Sequence, residues 1–407
     1  MVPKGWTVGT LSELADTVMG FAFKSSDFTP TGIPLLRMGN LYQNTLDFER
    51  NPEYLPESFK DEYARFLVRP GDLVMSMTGT MGKRDYGFTV EIPSHAPDSL
   101  LNQRVMKFVP KKKTSAGYLL NLLRSEVILS RLYSFPGGTK QANLSAKQVQ
   151  ELVAPIPPLP EQRKIAKILS TWDKAITITE QLLANSQQQK KALMQQLLTG
   201  KKRLLDNNGV RFCGEWKRLE LSSFTDIYSE KSVVNNQLPI VTSSRRGLFL
   251  QEDYFKKQVA SEDNTGYKIV PYGYITFRSM SDDGIFVFNQ QTILDNALIS
   301  PAYGVFCFTN IDTTFGCYLL NSSVMMREVN KLSQGGTRIA FKTSTFNSIY
   351  LSIPAKEEQQ KIASVLSTAD KEVTALQQRL DALKQEKQAL MQQLLTGKRR
   401  VRVEAVA

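Results

Sequence analysis

One stretch of this chain occurs twice. Residues Glu161–Lys201 and Glu358–Lys398 are identical at 25 of 41 positions, and the second copy follows the first at a constant offset of 197 residues. A repeat with a fixed, long period indicates a duplicated architecture. Any fold assigned to this chain therefore has to accommodate the same long element twice.

Both copies are predicted to be long α-helices. Apolar or small side chains recur in steps of three and four, at a mean spacing close to the 3.5-residue repeat of a coiled-coil seam. Pro160 suits the first turn of a helix, and Gly200 and Gly397 suit left-handed C-caps. About 39 residues at roughly 1.5 Å each give a rod of roughly 58 Å. The predicted seam comprises Ile165, Ile168, Trp172, Ile176, Leu183, Leu193, Leu197, Ile362, Val365, Ala369, Val373, Leu376, Leu380, Leu383, Leu390 and Leu394.

We expect the two helices to pack on each other as an antiparallel coiled coil. Antiparallel helices between two tandem domains generate a pseudo-twofold axis and bring the two ends of the chain close together. Parallel helices would place both domains at the same end of the rod. Trp172 lies on the predicted seam, so it is either an anchor of the coiled-coil core or a contact for a partner protein, and its position favours the core.

The bulk composition is that of an ordinary soluble protein. The chain has 407 residues, with 42% hydrophobic and 22% charged residues, which is enough for two or more domains with their own cores. No apolar run is long enough to span a membrane, and the first residues lack the apolar region of a signal peptide. Three cysteines and the single His95 give no metal-ligand spacing. We expect a cytoplasmic protein without a metal site and without membrane association.

The charge balance points to a polyanionic partner. The formal net charge is +12 and the isoelectric point is near 9.4, and nucleic acid is the usual partner of such a chain. The excess is uneven: residues 153–209 carry +5 and residues 352–407 carry +3, whereas residues 210–351 carry only +1. If the globular parts bind DNA, they therefore do so through a local basic patch.

The chain is organised as domain, helix, domain, helix. Residues Arg104–Val109 alternate as a strand, and Leu119–Leu132 is predicted to be one short amphipathic helix. The predicted fold class is α+β, with two globular domains separated by two long antiparallel helices that form a pseudo-twofold symmetric coiled coil. The predicted boundaries are 1–152 and 210–351 for the domains, and 153–209 and 352–407 for the helical regions.

The two predicted domains share landmarks but little sequence between them. Tyr118-Leu119-Leu120-Asn121 matches Tyr318-Leu319-Leu320-Asn321, and Gly137-Gly138-Thr139-Lys140 matches Gly335-Gly336-Thr337-Arg338. A shared frame with divergent surfaces suggests one kind of task performed on two different targets.

These features resemble the specificity (S) subunit of type I restriction–modification systems. The motifs that support the resemblance are Pro157–Gln162 leading into Lys164-Ile165-Ala166, and Lys191–Gly200 with its repeat near the end of the chain. The second copy departs from the pattern at its entry, where Ile353–Glu358 replaces the Pro-Pro-Leu-Pro-Glu connector. The resemblance covers the full chain.

The resemblance implies a function and a set of partners. The divergent domains would be target-recognition domains, each reading one half of a bipartite, asymmetric site in double-stranded DNA. The helices would space these domains and dock two methyltransferase (M) subunits, and restriction (R) subunits would complete the nuclease. The chain itself would be non-catalytic. AdoMet for adenine N6 methylation, ATP and Mg²⁺ would all belong to the partner subunits.

Candidate DNA contacts are polar or basic residues in glycine-marked loops near strand ends. Arginine and lysine suit phosphates and guanine edges, whereas asparagine and glutamine suit adenine. In the first domain the candidates are Arg37, Asn40, Thr78, Thr80, Lys83, Arg84, Gln103, Arg104, Thr139, Lys140 and Gln141. In the second domain they are Ser243, Ser244, Arg245, Arg246, Arg278, Ser281, Thr337, Arg338 and Lys342.

Two other classes of function compete with DNA reading. Asn51-Pro52-Glu53-Tyr54 has a superficial likeness to the Asn-Pro-Pro-Tyr motif of amino-methyltransferases, but its third residue is a carboxylate and no glycine-rich AdoMet loop precedes it. A turn opened by Asn-Pro is the simpler interpretation. The other alternative is a coiled-coil interaction scaffold without DNA specificity, against which the two cored domains with basic loops argue.

Overall fold

The computed structural model describes residues 2–135, 141–255, 261–281, 284–332, 339–341 and 343–403. The chain forms two compact units. Unit 1 combines Met1–Glu180 with Gln378–Ala407, and unit 2 is Gln181–Gln377. Each unit therefore contains one globular domain and a part of each long helix, so the units divide the predicted helical regions rather than coinciding with them.

The domain of unit 1 is α+β, and short helices accompany its strands. The strands are β1 (Thr7–Thr10), β2 (Ala15–Met19), β3 (Ile33–Leu36), β4 (Tyr54–Leu55), β5 (Leu67–Val68), β6 (Leu73–Ser76), β7 (Thr78–Thr80), β8 (Thr89–Glu91), β9 (Ser99–Leu101), β10 (Val105–Pro110), β11 (Gln141–Asn143) and β12 (Val153–Ile156). The helices are α1 (Leu11–Leu14), α2 (Phe59–Glu62), α3 (Ala116–Leu123), α4 (Glu126–Leu132), α5 (Ala146–Gln150) and the long α6 (Leu159–Leu197).

Two four-stranded sheets and two ribbons build this domain. The antiparallel sheet has the strand order β2-β10-β6-β8, and the second sheet has the order β4-β3-β9-β5 with a parallel β3–β9 pair. β1 pairs with β12, and β7 pairs with β11. Apolar residues of β6, β10, α3 and α4 form the main core, in which Phe108 and Tyr118 are among the largest fully buried side chains.

The domain of unit 2 repeats the antiparallel four-stranded sheet and the two ribbons of unit 1, and its other described strands form two-stranded sheets. Its strands are β13 (Lys217–Glu220), β14 (Thr225–Ile227), β15 (Val241–Ser244), β16 (Gly247–Leu250), β17 (Lys268–Pro271), β18 (Ile275–Arg278), β19 (Met280–Ser281), β20 (Phe288–Gln290), β21 (Asn296–Ile299), β22 (Tyr303–Phe308), β23 (Ile339–Ala340) and β24 (Tyr350–Ile353). Its helices are α7 (Gln251–Tyr254), α8 (Thr313–Leu320), α9 (Ser323–Leu332) and α10 (Thr343–Asn347), and the long α11 (Lys356–Leu395) follows.

The same strand order identifies the same fold in both units. The sheet β14-β22-β18-β20 matches β2-β10-β6-β8, and the pair β13–β24 matches β1–β12. Stacked and edge-on phenylalanines, among them Phe277, Phe306 and Phe346, fill the core of unit 2. The predicted α+β duplication is confirmed.

One predicted helix is wrong in detail. Leu119–Leu132 is not a single helix, because helical structure is interrupted between α3, which ends at Leu123, and α4, which begins at Glu126. Ser125 adopts an extended backbone conformation with ψ of 156°, and its Oγ donates a hydrogen bond of 2.6 Å to the Leu122 carbonyl. A serine whose side chain forms a hydrogen bond with a nearby backbone group favours a helix boundary over a helix interior. The periodicity of the two short helices concealed this break.

The long helices end as predicted. Gly200 and Gly397 have φ of 68° and 74°, in the left-handed region that favours glycine. The N–H of Lys202 donates to the Gln196 carbonyl at 3.1 Å, and the N–H of Arg399 donates to Gln393 at 3.0 Å. These bonds satisfy carbonyls that a helix end otherwise leaves without partners.

The helical segments of unit 1 are antiparallel. Glu180 pairs with Lys384 at 2.7 Å, and Asp173 pairs with Lys387 at 2.5 Å. Residue numbers therefore decrease along α6 in the direction in which they increase along α11. Near the end of α11, Arg400 Nη1 donates to the Lys4 carbonyl at 2.9 Å. The predicted proximity of residues from the two ends of the sequence is therefore present in this unit.

The helical segments of unit 2 are antiparallel as well. Lys190 forms an ion pair with Asp370, and Ser186 Oγ donates to Glu372 at 2.8 Å. Leu197 and Leu198 at the end of α6 pack into the core of unit 2 beside Leu366 of α11. The antiparallel pairing predicted from the sequence is confirmed in each unit.

Candidate nucleic-acid interface

The β7–β11 ribbon of unit 1 presents a polar face. Its register sets Thr78 opposite Asn143 and Thr80 opposite Gln141. Because side chains alternate along a strand, these four residues share one face of the ribbon. The opposite face is anchored, since Ala142 is buried in the core of unit 1 and a Cβ on Gly79 would meet Asp85 and Tyr86. Two predicted contacts of β7 and one of β11 thus come together.

Arg104 reaches across this ribbon. Its Nη1 lies 3.3 Å from Asn143 Oδ1 and 3.5 Å from Thr78 Oγ1. The neighbouring Gln103 is exposed, and its N–H donates to the Phe21 carbonyl at 2.9 Å. The turn between β9 and β10 therefore brings Arg104 to the ribbon and leaves the neighbouring Gln103 exposed beside Phe21.

The loop that follows β7 is held by Asp85. Its Oδ1 accepts a hydrogen bond of 2.7 Å from the Thr80 N–H. Partial burial opposes ionisation of Asp85, but the bonds from Thr80 and the charge of Lys83 outweigh it and lower the pKa of this carboxyl. Lys83 is exposed at the tip of the loop. Arg84, in contrast, pairs with Glu126 at 2.9 Å and lies over the Tyr133 ring, so part of its charge is already engaged.

Two other predicted residues of unit 1 have structural roles. Asn40 is only 3% exposed, and its side-chain amide donates to the Asp47 and Arg50 carbonyls. Arg37 pairs with Glu53 at 3.4 Å and donates to the Asn51 carbonyl. Both side chains hold the loop between β3 and β4 and are not presented to a ligand in this conformation.

Most of the predicted residues of unit 2 line one cleft of 460 Å³. Arg278 is exposed at the end of β18, and Arg245 follows β15. The hydroxyl-bearing residues Ser243, Ser244 and Ser281 line the same cleft, together with aromatic side chains that include Tyr254 and Tyr303. The cleft thus combines two cationic side chains with hydroxyl groups, a set suited to phosphate oxygens.

Arg246 lies beside this cleft. Its guanidinium carbon is 5.1 Å from the centre of the Tyr254 ring, a cation–π geometry. Hydrogen bonds from Arg246 and Ser244 lower the pKa of the Tyr254 hydroxyl below its ordinary value. On the other side of the hairpin, Asn289 Nδ2 donates to Ser243 Oγ and to the Ser244 carbonyl, both at 2.8 Å. These contacts fix the β15–β16 hairpin.

Five predicted residues lie outside the described residues, and three residues beside these surfaces were not predicted. No local pattern pairs Asn143 with Arg104, which lies 39 positions away. Tyr254 could not be placed without the hairpin. Phe21, 38% exposed and packed against Phe23 and Tyr63, was signalled only by an aromatic pair next to Gly20. The predicted residues outside the described part of the chain are Thr139, Lys140, Thr337, Arg338 and Lys342.

A buried carboxylate marks the start of α6. In unit 1, Trp6 Nε1 donates to Glu161 Oε2 at 3.0 Å, and Arg400 pairs with the same carboxylate at 2.5 Å. Gln162 donates to the Pro157 carbonyl at 2.9 Å and accepts from the Ser115 N–H. The domain, the start of α6 and the segment after α11 are thereby tied together.

The start of α11 has the same contacts in unit 2. Trp216 Nε1 lies 3.3 Å from Glu358 Oε2, and Arg203 donates to both oxygens of Glu358 at 2.6 and 2.7 Å. Gln359 donates to the Pro354 carbonyl at 2.9 Å and accepts from the Asp312 N–H. The repeated helix thus begins in the same network in both units.

Comparison with known families gives this duplication a name. The sequence profile described as "Type I restriction modification DNA specificity domain" matches residues 3–185 and again residues 218–385. The chain belongs to this family. Its two copies of the specificity domain coincide with the two globular domains and the adjoining parts of the long helices.

Other proteins of the type I specificity family are similar over most of the chain. A Methanocaldococcus jannaschii protein named type I restriction enzyme MjaVIII specificity subunit is 25% identical over 72% of this chain and 76% of its own. A second protein from that organism, the putative MjaX specificity subunit, is 23% identical over 98% of this chain and 95% of its own. The EcoBI specificity subunit of Escherichia coli is 26% identical over 58% of this chain and 48% of its own.

Solved structures share the fold. A type I restriction–modification S subunit from M. genitalium superposes with a TM-score of 0.57 at 14% identity, covering 96% of both chains. A chain from a structure that addresses complex assembly and conformational transition of the type I system gives a TM-score of 0.58 at 18% identity, covering 98% of this chain and all of its own. At these identities the likeness extends to the fold alone.

The predicted seam of this specificity chain is at least half-buried throughout. Ile165, Leu183, Leu197, Ile362, Leu380 and Leu394 are buried, and the other predicted seam residues, Trp172 among them, are half-buried. Sequence reasoning missed Leu169 and Leu366, which are fully buried because they pack into the domain cores. Each lies four positions after a predicted seam residue, which is the signal that could have identified it.

The described residues of the specificity chain show neither a metal-ligand cluster nor a membrane-spanning helix. Within the described ranges, no group of three or more histidine, cysteine, aspartate or glutamate side chains could hold a metal ion. Among the same residues, no helix is long and apolar enough to cross a membrane.

Proposed function

We propose that this chain is the DNA-reading subunit of a type I restriction–modification complex. The domain of unit 1 reads one half of a bipartite, asymmetric site, and the domain of unit 2 reads the other half. The observation that supports this most strongly is one fold present twice with different exposed side chains. A shared frame with different readers is what recognition of two unlike half-sites requires.

The charge distribution supports the same proposal. The sequence has a net charge of +12, and the candidate cations gather at local surfaces rather than covering each domain. Lys83 is exposed beside the ribbon of unit 1, and Arg278 is exposed at the cleft of unit 2. Lysine and arginine that contact phosphates fix the register of a protein on DNA, and neighbouring polar groups then read the bases.

The long helices are the proposed docking surface for two M subunits. In unit 1 a groove of 680 Å³ runs beside the two helices, with the apolar Ile168, Trp172 and Leu390 among its lining residues. Lys164 and Arg399 line the same groove. Aromatic and basic side chains around an apolar centre are typical of protein–protein contacts. R subunits would join the complex through the M subunits or the remaining helix surface.

The chain is proposed to be non-catalytic, with AdoMet, ATP and Mg²⁺ bound by its partners. The one motif with a likeness to a methyltransferase has a structural role instead. Asn51 adopts a left-handed backbone with φ of 53°, and Glu53 is paired with Arg37. The carboxylate at the third position is therefore engaged in the loop that it stabilises.

The test is co-expression of this chain with a methyltransferase (M) subunit of a type I system from the same genome. We expect a complex of two M subunits and one S subunit, measured by native mass spectrometry. We also expect methylated adenines in a split, asymmetric sequence when genomic DNA is mapped by modified-base sequencing. A complex that forms without sequence-specific methylation would favour the coiled-coil scaffold, and the absence of both would remove the proposal.

A further inference from the structure

The β7–β11 ribbon of unit 1 differs from the rest of the candidate surface in its regularity. Thr80 and Gln141 are exposed and directly opposed, and Asn143 is exposed one pair further along, opposite Thr78. Strand spacing places such opposed side chains about 4.5–5.5 Å apart at Cβ. The ribbon therefore holds an ordered row of hydroxyl and amide groups, in which Thr80, Gln141 and Asn143 are exposed and Thr78 is buried at its base.

The base of the ribbon is rigid. Ala142 is buried, and Gly79 is packed so closely against Asp85 and Tyr86 that a Cβ at this position would lie 2.4 Å from the Asp85 carboxylate. Asp85 also accepts the bond from Thr80 that closes the following turn. Groups that are positioned before binding lose less conformational entropy when they meet a ligand.

Arg104 completes the row. Its Nη1 is directed at Asn143 and Thr78, while Nε and Nη2 have no hydrogen-bond partner among the described residues. A guanidinium held at one nitrogen keeps the other donors of its planar fork for a second acceptor pair. Guanine offers such a pair in the major groove, at O6 and N7.

We infer that the β7–β11 ribbon enters the DNA major groove with Arg104 as a guanine reader and Gln141 and Asn143 as neighbouring base contacts. This inference rests on the proposed function of the chain. Two strands lie about 4.8 Å apart, and the major groove is about 12 Å wide, so a ribbon with its side chains fits. Amide side chains next to the arginine are suited to adenine, which presents a donor and an acceptor on the same edge.

Unit 2 does not offer the same reader at the equivalent place. The Met77 N–H donates to the Arg104 carbonyl at 2.9 Å, and the matching bond in unit 2 runs from the Ser279 N–H to the Ala302 carbonyl at 3.1 Å. Ala302 therefore occupies the backbone position of Arg104. Loss of Arg104 is consequently expected to affect one half-site and to leave the other unchanged.

The experiment compares methylation maps of complexes that contain S-subunit variants. Arg104→Ala and Arg104→Lys are expected to reduce discrimination at one base pair of one half-site by about 10- to 100-fold, the loss typical of one bidentate base contact. Arg104→Lys retains the charge but loses the fork, so a change in both variants identifies base reading rather than general attraction. Gln141→Ala is expected to relax a neighbouring position of the same half-site.

Arg69→Ala is the matched control. Arg69 is an exposed arginine of unit 1 that precedes β6, whereas the ribbon follows β6, so its loss should leave the methylated sequence intact. An unchanged sequence with uniformly weaker methylation in the Arg104 variants would show that Arg104 only braces the ribbon, and would overturn the inference. An unchanged map for Arg104→Lys and Gln141→Ala would do the same. Failure of the proposed function is distinguishable, because the unaltered complex would then show no split site.

Discussion

The two units present the same scaffold with two different surfaces. In unit 1 the ribbon after the central sheet is three residues long on each strand, and Arg104 crosses it. In unit 2 the matching ribbon, β19–β23, has two residues on each strand, and a cleft with Arg245 and Arg278 lies beside it. Unit 1 thus presents a polar two-stranded ribbon, whereas unit 2 presents a cleft lined by two arginines.

The contacts that differ least are those at the helix starts. Glu161 and Glu358 each accept from a tryptophan indole and pair with the arginine that follows the end of the other long helix. This network has to position a domain on its helix in both units, so its residues cannot vary independently. Exposed ribbon and hairpin residues have no such constraint. The residues that hold each domain on its helix are therefore separate from the exposed residues that differ between the two units.

The largest effects should come from the helix ends, because each completes one domain core. Leu198 is buried in unit 2 and Leu395 in unit 1. Leu198→Ala is expected to destabilise unit 2 by about 3 kcal/mol, and Leu395→Ala should destabilise unit 1 by a similar amount. Hydrogen exchange resolved by unit measures both. Leu182→Ala, at an exposed position of α6, is the control.

Cysteine reactivity provides an independent measure of the same difference, since all three cysteines lie in unit 2. Burial raises the pKa of Cys317 to about 12, so at pH 8 very little of this thiol is ionised, and the ionised fraction grows as pH rises towards 12. Alkylation of Cys317 should accelerate in Leu198→Ala and not in Leu395→Ala. Equal acceleration in both variants would contradict the assignment of each helix end to one core.

The second effect concerns the buried carboxylates. The side chain of Glu358 is 2% exposed and its partner Arg203 is 20% exposed, whereas Glu161 and Arg400 are 9% and 42% exposed. Glu358→Gln should destabilise unit 2 by about 2 kcal/mol, less than the helix-end variants, because it leaves a guanidinium that is 20% exposed without its counter-charge. Glu161→Gln should cost less, since water reaches Arg400. Denaturant unfolding measures the loss of unfolding free energy in each variant. An equal loss, or a larger loss in Glu161→Gln, would contradict the link between burial of the ion pair and its effect on stability.

The smallest expected effect is on DNA affinity through the cleft of unit 2. If Arg278 contacts a phosphate, Arg278→Ala should weaken binding at all sequences and reduce the slope of log affinity against log salt by about 1. Arg245→Ala should act in the same way. Fluorescence anisotropy of the assembled complex at several salt concentrations measures the slope. Lys231→Ala, an exposed cation of unit 2 outside the residues that line the cleft, serves as the control.

The sequence was sufficient for the parts of the fold that repeat or are local. The helix caps at Gly200 and Gly397 and the antiparallel pairing follow from pattern and repeat. The break before Ser125 was hidden by apolar spacing that continues through it. The bond between Trp6 and Glu161 joins residues 155 positions apart, so no local pattern predicts it.

The candidate DNA-binding surfaces could likewise be predicted only in part from the sequence. Gly-marked loops directed attention to Thr80, Arg104 and Arg278, which lie at strand ends at or near the surface and stay predicted DNA contacts. They also selected Asn40, whose amide is consumed inside its own loop. Whether a polar side chain serves the fold or a ligand depends on partners that only the three-dimensional arrangement brings together. Asn143 and Tyr254 were missed for that reason.

The central claim is that each unit reads its own half of one split site. The most direct measurement is a pair of methylation maps, one for the unaltered chain and one for Arg104→Ala, whose ribbon belongs to unit 1 alone. The account predicts that the variant changes bases in one half-site and leaves the other half as it is in the unaltered chain. A change in both halves, or a map without a split site, would contradict it.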